Sequence, residues 1–481
     1  MSESRRMLQN AGLMLLNRIG LILVGILFAA LIPRMMGPEE YGRFSLLLSF
    51  SIWFYLFSEL GISQTIARHL PRLGEGVSRT ELLGALVALR LATGFLAGSA
   101  YMTTAALVLP DLSLSVVSGF ALAVMIGGWV DPLFAWMLGQ NRANLWGFSF
   151  LMRRVGYLVL IPFAYRYAGQ VGAAYSVACS EVIVLILGMM WLRGEFDIKS
   201  VKLRLNLVAP LLKLSLLLFI GNLFAATFRF SGEALLRFLT HDYSQIAYFG
   251  VCMSVYTAAE ASLYHLYMSA TPFLSGLIGR DARAEAATWM ERFLVLLTVA
   301  TLILLMAALL FATDVVPVLF GEAYTPSIPI LKVAALILVV SVATGAANTA
   351  ALLEARPGVY IAGMAIRVVV FWLAAPRLVR DWSATGVAFA MLGGFIASAI
   401  YTMWKMKAYL NVPLRAWGRA IATAVPFCAV GMIDTSLPAR VGLFVLSVSL
   451  YCGLLWITRT LPLCEIRRAW SKRTINEESS C

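Results

Sequence analysis

The sequence predicts an all-α polytopic membrane protein of about 14 transmembrane helices, arranged as two six-helix lobes plus two C-terminal helices. Three observations carry that expectation. Of the 481 residues, 60% are hydrophobic and 13% charged, against about 25% charged in soluble domains. The apolar residues fall in long runs, and about 20 in a row are enough to span a bilayer core. The net charge of +13 sits in short connections between those runs, where membrane topology accounts for it and nucleic-acid binding does not.

Taken in order, the runs cover residues 11–32, 44–66, 82–109, 115–138, 149–168, 172–193, 208–232, 244–274, 290–313, 327–353, 358–376, 384–404, 416–433 and 439–459. The first follows MSESRR and exceeds a signal-peptide core, so it reads as an uncleaved first helix. Pro33 and Gly37-Pro38 stop it. Glu39 and Glu40 occupy the turn, Tyr41-Gly42 opens the second run, and that run ends in the basic residues Arg68, Arg72 and Arg79. Run 149–168 contains Arg153 and Arg154, and only a short link joins the last two runs. The longest connections, 194–207 and 314–326, are too short for a soluble domain. The expected organisation is an N-terminal lobe over residues 1–206, a second lobe over 207–410, two further helices within 411–462 and a polar cytoplasmic tail over 463–481.

Lys and Arg set the orientation. With the N-terminus inside, 25 of the 38 fall on the inner side, 7 on the outer side and 6 within runs. This asymmetry predicts cytoplasmic termini and an even number of spans. The chain also echoes itself. Glu40-Tyr41-Gly42-Arg43-Phe44 returns as Gln245-Ile246-Ala247-Tyr248-Phe249, and Gly172-Ala173-Ala174-Tyr175 returns as Gly386-Val387-Ala388-Phe389. Six spans separate the copies each time, which suits two halves related by an axis along the membrane normal.

Covalent chemistry finds no support. No G-x-x-x-x-G-K loop is present, so ATP hydrolysis is not expected. His69, His241 and His265 are scattered, and the six cysteines form no C-x-x-C. Asp131 and Glu181 have no partner carboxylate at catalytic spacing. Neither a cofactor nor a metal is expected, and the protein is not expected to be an enzyme.

Charges inside apolar runs are costly and usually face a cavity or a partner. Arg18, Arg90 and Arg367 lie roughly 10–13 Å along their helices from the cytoplasmic end. Three guanidinium forks at one depth suit a cytoplasm-facing pocket for a diphosphate, while snorkelling to the headgroups is the plainer alternative. Lys213 and Lys332 are shallower and read as snorkelling. Arg229 and Glu233 are i, i+4 and can pair on one helix face; Arg229 is grouped with the pocket arginines. Glu59, Glu233 and Glu260 are the candidate proton or sodium sites, each with the alternative of a helix-end residue satisfied by a neighbour. Gly94 and Gly98 form a small-residue face suited to helix packing.

Several short motifs carry a resemblance. They are Arg34-Met35-Met36-Gly37-Pro38-Glu39-Glu40-Tyr41-Gly42, Glu59-Leu60-Gly61, Pro272-Phe273-Leu274-Ser275, and Phe320-Gly321-Glu322-Ala323-Tyr324 followed by Pro329-Ile330-Leu331. In these the chain resembles the polysaccharide transporter family, the oligosaccharide-lipid (O-antigen type) flippases of the multidrug/oligosaccharidyl-lipid/polysaccharide exporter superfamily. Met36 replaces the family's usual Leu. Glu233-Ala234-Leu235-Leu236 and Ala247-Tyr248-Phe249 depart from the family's D-R-x-x-L and Gly-x-Tyr, so a role tied to that arginine does not carry over. The resemblance implies a flippase of the bacterial inner membrane. Such a protein moves a polyprenyl-diphosphate-linked oligosaccharide from the cytoplasmic to the outer leaflet by alternating access, for cell-surface polysaccharide biosynthesis. The implied partners are that lipid-linked oligosaccharide, membrane lipid, a coupling proton or sodium ion and polysaccharide-assembly proteins, with no nucleic acid. Two other classes remain open. A multidrug-type cation antiporter of the same superfamily would have twelve spans and a more acidic cavity. A membrane polymerase or glycosyltransferase would need a sizeable outer loop bearing Arg, Asp or His.

Overall fold

A computed structural model describes residues 3–70, 79–140, 142–195, 201–354, 356–431, 435–458 and 460. Twelve α-helices follow in order: α1 (Glu3–Glu59), α2 (Ile62–His69), α3 (Arg79–Val108), α4 (Leu114–Gly139), α5 (Ala143–Leu192), α6 (Leu205–Thr240), α7 (Tyr243–Gly279), α8 (Arg283–Phe320), α9 (Ile328–Leu353), α10 (Pro357–Leu410), α11 (Arg415–Val430) and α12 (Leu437–Ile457). A 3₁₀ turn, Glu322–Ser327, leads into α9. Among the described residues there is no strand, and nine helical stretches are long and apolar enough to cross a membrane. The all-α fold class expected from the sequence is the one observed.

Three helices double back on themselves. In α5, Tyr157 and Glu181 are hydrogen-bonded at 3.0 Å, yet 24 residues of straight helix would hold them about 36 Å apart. The reversal is at Gly169 (φ 55°), a backbone conformation without steric cost for glycine. In α10, Arg367 stacks on Phe395, and the break is at Ser383 (φ 47°). In α1, Leu21 and Tyr55 line one cavity, and the break is at Gly37 (φ 76°) beside Pro38. All three breaks lie in connections that the hydropathy pattern had placed between spans. Leu60 and Gly61 then join α1 to the short α2.

The chain forms two compact units. The first comprises Met1–Val255, Leu319–Tyr324 and Val379–Val387. Its core packs Ile66 of α2, Leu86 of α3, Phe134 and Trp136 of α4, Val184 of α5 and Val208 of α6. It therefore runs past residue 206, through α6 and into α7. Chain-distant segments meet at the Gly37–Gly42 turn. The Tyr324 hydroxyl donates to the Pro33 carbonyl at 3.0 Å. The rings of Tyr41 and Tyr248 pack edge-on to Tyr324, with centroids 6.5 and 6.1 Å away. Gly42 approaches α7 so closely that a Cβ would run into the Tyr243 carbonyl oxygen.

The second unit comprises Tyr256–Val318, Thr325–Leu378 and Ala388–Cys481. Tyr267 of α7, Met290 of α8, Ala346 of α9 and Met403 of α10 share one core. Alanines such as Ala343, Ala346, Ala347 and Ala350 on α9 let the helices approach closely, which matters where lipid supplies no hydrophobic drive for packing. A second cluster fixes α11 and α12 against α8 through Met306, Ala420 and Tyr451. The Tyr451 hydroxyl donates to the Ala420 carbonyl at 3.0 Å, and Arg440 pairs with Asp314 at 2.7 Å.

Candidate functional site

The first unit encloses a cavity of about 350 Å³ lined by both arms of α1, by α4 and by both arms of α5. Its polar wall is Ser51, Tyr55, Arg153, Arg154, Tyr157 and Glu181. The local fold explains why these side chains meet. Reversal at Gly169 lays the two arms of α5 side by side, and Gly156 lets them approach until only Ser180 fills the space beside it. Arg153 on the first arm then faces Glu181 on the second, with Nε 2.7 Å from Oε1. Its Nη2 reaches Asp131 Oδ1 on α4 at 3.3 Å, and the Tyr157 hydroxyl donates to the same Glu181 oxygen.

Arg154 is the next residue and therefore points about 100° further round the helix. It is exposed to the cavity, with its guanidinium 5.9 Å from the centroid of Phe28. Among the described residues no carboxylate pairs with it. Arg229 on α6 is near enough for its positive charge to act on Arg154. The cavity thus combines one arginine held between two carboxylates with one whose fork is open. A guanidinium without a counter-ion among membrane-embedded helices is costly, and an anionic ligand would remove that cost through bidentate hydrogen bonds.

The residues expected from the sequence lie in different settings. Arg90 is wholly buried; its Nε donates to the Gly128 carbonyl at 3.0 Å and its Nη1 to the Ser58 carbonyl. It clasps α3 to α4 and to the end of α1, with Glu59 as the neighbouring opposite charge, and its fork is not presented to the cavity. Arg229 and Glu233 do not form the ion pair that their spacing allows. Glu233 is buried and accepts from the Ser45 hydroxyl at 3.0 Å, while Arg229 lies over Phe230. In the second unit Arg367 is 6% exposed, its guanidinium 3.8 Å from the Phe395 centroid. Glu260 accepts from the Tyr256 hydroxyl at 2.8 Å. The Arg18 side chain lies outside the described residues.

Arg153, Arg154, Asp131 and Glu181 had no expected role at a site. Arg153 and Arg154 lie inside α5. The signal was an Arg-Arg pair interrupting an apolar run, which marks an intramembrane site as well as it marks a loop. Among the described residues no three His, Cys, Asp or Glu side chains converge as a metal site.

Comparison with known proteins fits this architecture. The family model described as "Polysaccharide biosynthesis protein" matches residues 7–278, more than half of the chain, and the chain belongs to that family. No curated protein matches it. Among solved structures it is similar to a multidrug resistance MATE family transporter of the MOP superfamily in an inward-facing conformation. That match has 15% identity and a TM-score of 0.68, and covers 82% of this chain and 94% of the other. It is also similar to the lipid II flippase MurJ in an inward closed conformation, with 12% identity and a TM-score of 0.67, over 94% of this chain and 99% of the other. A MOP superfamily transporter from Pyrococcus furiosus matches with 14% identity and a TM-score of 0.56, over 82% and 95%. Fold and family together make this a multi-pass membrane protein of the polysaccharide biosynthesis family with the fold shared by MATE transporters and the flippase MurJ.

Proposed function

We propose that the protein is a flippase that moves a polyprenyl-diphosphate-linked oligosaccharide from the cytoplasmic to the outer leaflet of the bacterial inner membrane, by alternating access and without ATP. The observation that carries this reading is Arg154. An open guanidinium beside Arg229, in a cavity whose lining carboxylate is already held by Arg153, favours an anion over a cation. Arg154 and Arg229 receive phosphate oxygens, the sugar occupies the cavity and the lipid tail remains in the bilayer. The six-helix lobes expected over 1–206 and 207–410 are the halves that alternate. Of the carboxylates expected to couple an ion, Glu233 is the best placed: it is buried, its partner is a hydroxyl, and no basic group pairs with it among the described residues.

The test is export of lipid-linked oligosaccharide in cells at matched protein level. Each charge-assisted contact is worth about 1.5–3 kcal/mol, so Arg154→Ala lowers apparent affinity roughly tenfold or more. Arg154→Lys loses much of the same gain, because an ammonium keeps the charge without the fork. Full export by both variants overturns the phosphate role of Arg154, and export unchanged in cells lacking the protein overturns the proposal. Organic-cation efflux that survives Arg154→Ala and fails in Glu181→Gln would instead establish a multidrug-type antiporter.

A further inference from the structure

The hairpins of α5 and α10 are copies of one another at the level of backbone and register. Gly169 has φ 55° and ψ −139°; Ser383, 214 residues later, has φ 47° and ψ −127°. The same shift of 214 carries Gly172 to Gly386, Arg153 to Arg367 and Glu181 to Phe395. In both copies the corresponding side chains touch across the hairpin: Arg153 meets Glu181 at 2.7 Å, and Arg367 lies 3.8 Å from the Phe395 ring centroid. A slip of one residue turns a helical side chain by about 100°, so this contact survives only in matched register. Along that contact, one arm of the pair has changed from carboxylate to aromatic ring.

A buried guanidinium still needs a counter-charge. In the first unit Glu181 supplies it, with the Tyr157 hydroxyl donating to the same carboxylate. In the second, the neighbouring carboxylate is Glu260 of α7, which is linked to Arg367 through Tyr256 and Phe395. The Tyr256 hydroxyl donates to Glu260 at 2.8 Å, and the Tyr256 ring packs on Phe395. Each unit therefore holds one arginine and one glutamate braced by a tyrosine, but the glutamate has moved from the hairpin's second arm to a neighbouring helix. We infer that Arg367 is the repeat counterpart of Arg153 and that Glu260 is a positioning residue for it, the resident anion that keeps the Arg367 fork aimed until a phosphate of the substrate replaces it. The inference rests on the reading that the transported lipid is anionic. Phe395 contributes the flat face on which the guanidinium rests, which fixes the plane of the fork.

Relocating the carboxylate tests this. Glu260→Gln lowers lipid-linked oligosaccharide export several-fold at matched protein level. Adding Phe395→Glu puts a carboxylate where Glu181 stands in the first unit, and export returns to at least half of wild type. Phe395→Gln in the same background gives no recovery. On purified protein, inorganic diphosphate raises the melting temperature; Glu260→Gln strengthens that response about tenfold in concentration by removing a competing anion, and Arg367→Ala weakens it. A double variant no more active than Glu260→Gln, while melting with wild type, overturns the inference. So does a diphosphate response that neither Glu260→Gln nor Arg367→Ala moves. If export of lipid-linked oligosaccharide is unchanged in cells lacking the protein while the diphosphate response follows Glu260 and Arg367, the transport reading fails and the pairing stands.

Discussion

Replacing Arg90 with Met separates a packing role from a ligand role. The side chain is wholly buried and donates to two backbone carbonyls, Ser58 and Gly128, on different helices. Hydrogen bonds to charged groups contribute about 1.5–3 kcal/mol each in soluble proteins. Those between membrane helices average about 0.6 and reach about 1.7 kcal/mol. The membrane values apply here, so the two bonds together contribute about 1–3 kcal/mol. Met fills most of the volume but leaves both carbonyls without a donor and Glu59 without its neighbouring charge. The Arg90→Met protein should melt several degrees below wild type in detergent, measured as the fraction that stays monodisperse after heating. Arg90→Lys, with a single compact donor group, should fall between the two. Diphosphate should shift the melting temperature of Arg90→Met as it does that of wild type. A variant that melts with wild type yet loses export tenfold would refute the clasp and return Arg90 to the substrate pocket.

Two further predictions concern the membrane's surfaces. Asp111 in the α3–α4 loop accepts from Arg237 at 2.8 Å and from Tyr243 at 2.6 Å. Burial acts to raise its pKa, but those hydrogen bonds outweigh burial and hold the carboxyl below its usual range. Its contribution is therefore present above the ordinary carboxylate pKa and lost as pH falls through the depressed one. Because the pair is partly exposed, Asp111→Asn should cost no more than about 1 kcal/mol at neutral pH, and in a melting-temperature series that difference should disappear in strong acid. Cysteines placed at Gly321 and Lys202 should label from opposite sides of the membrane, Gly321 from outside; labelling from one side contradicts the orientation drawn from Lys and Arg.

The fold was legible because membrane helices announce themselves by length and apolarity. The turns at Gly37 and Gly169 carried the residue type that a positive φ favours. Ser383 did not, and only the fall in hydropathy between residues 376 and 384 located that break. The site was less legible. Depth along a helix can be counted from sequence, which is why Arg90 and Arg367 were found, but the direction a side chain takes depends on rotation and on neighbours. Arg90 was singled out by depth alone, and its side chain points into a helix junction. Arg153 and Glu181 stand 28 residues apart and become partners through a reversal of the backbone, a relation that periodicity within a single helix cannot express. Glu233 found a serine from α1 in place of the arginine one turn away on its own helix.

The bond from Tyr324 to Pro33 closes a loop of 291 residues. During synthesis the Gly37–Gly42 turn emerges early, while Tyr243, Tyr248 and Tyr324, its eventual neighbours, are still to be made. The turn must therefore wait, hydrated at the membrane surface, through the insertion of most of the chain. Glu39, Glu40 and Arg43 suit that interval, since they keep the unpaired segment wet and Glu39 already has Arg43 as a local partner. Closing so long a loop adds little entropy cost beyond closing one half as long, about 0.6 kcal/mol per doubling, but it cannot begin before the last partner exists. The turn that carries much of the sequence resemblance is thus among the last places to reach its final contacts, and a chain truncated before Tyr324 would carry it complete in sequence and unassembled in space.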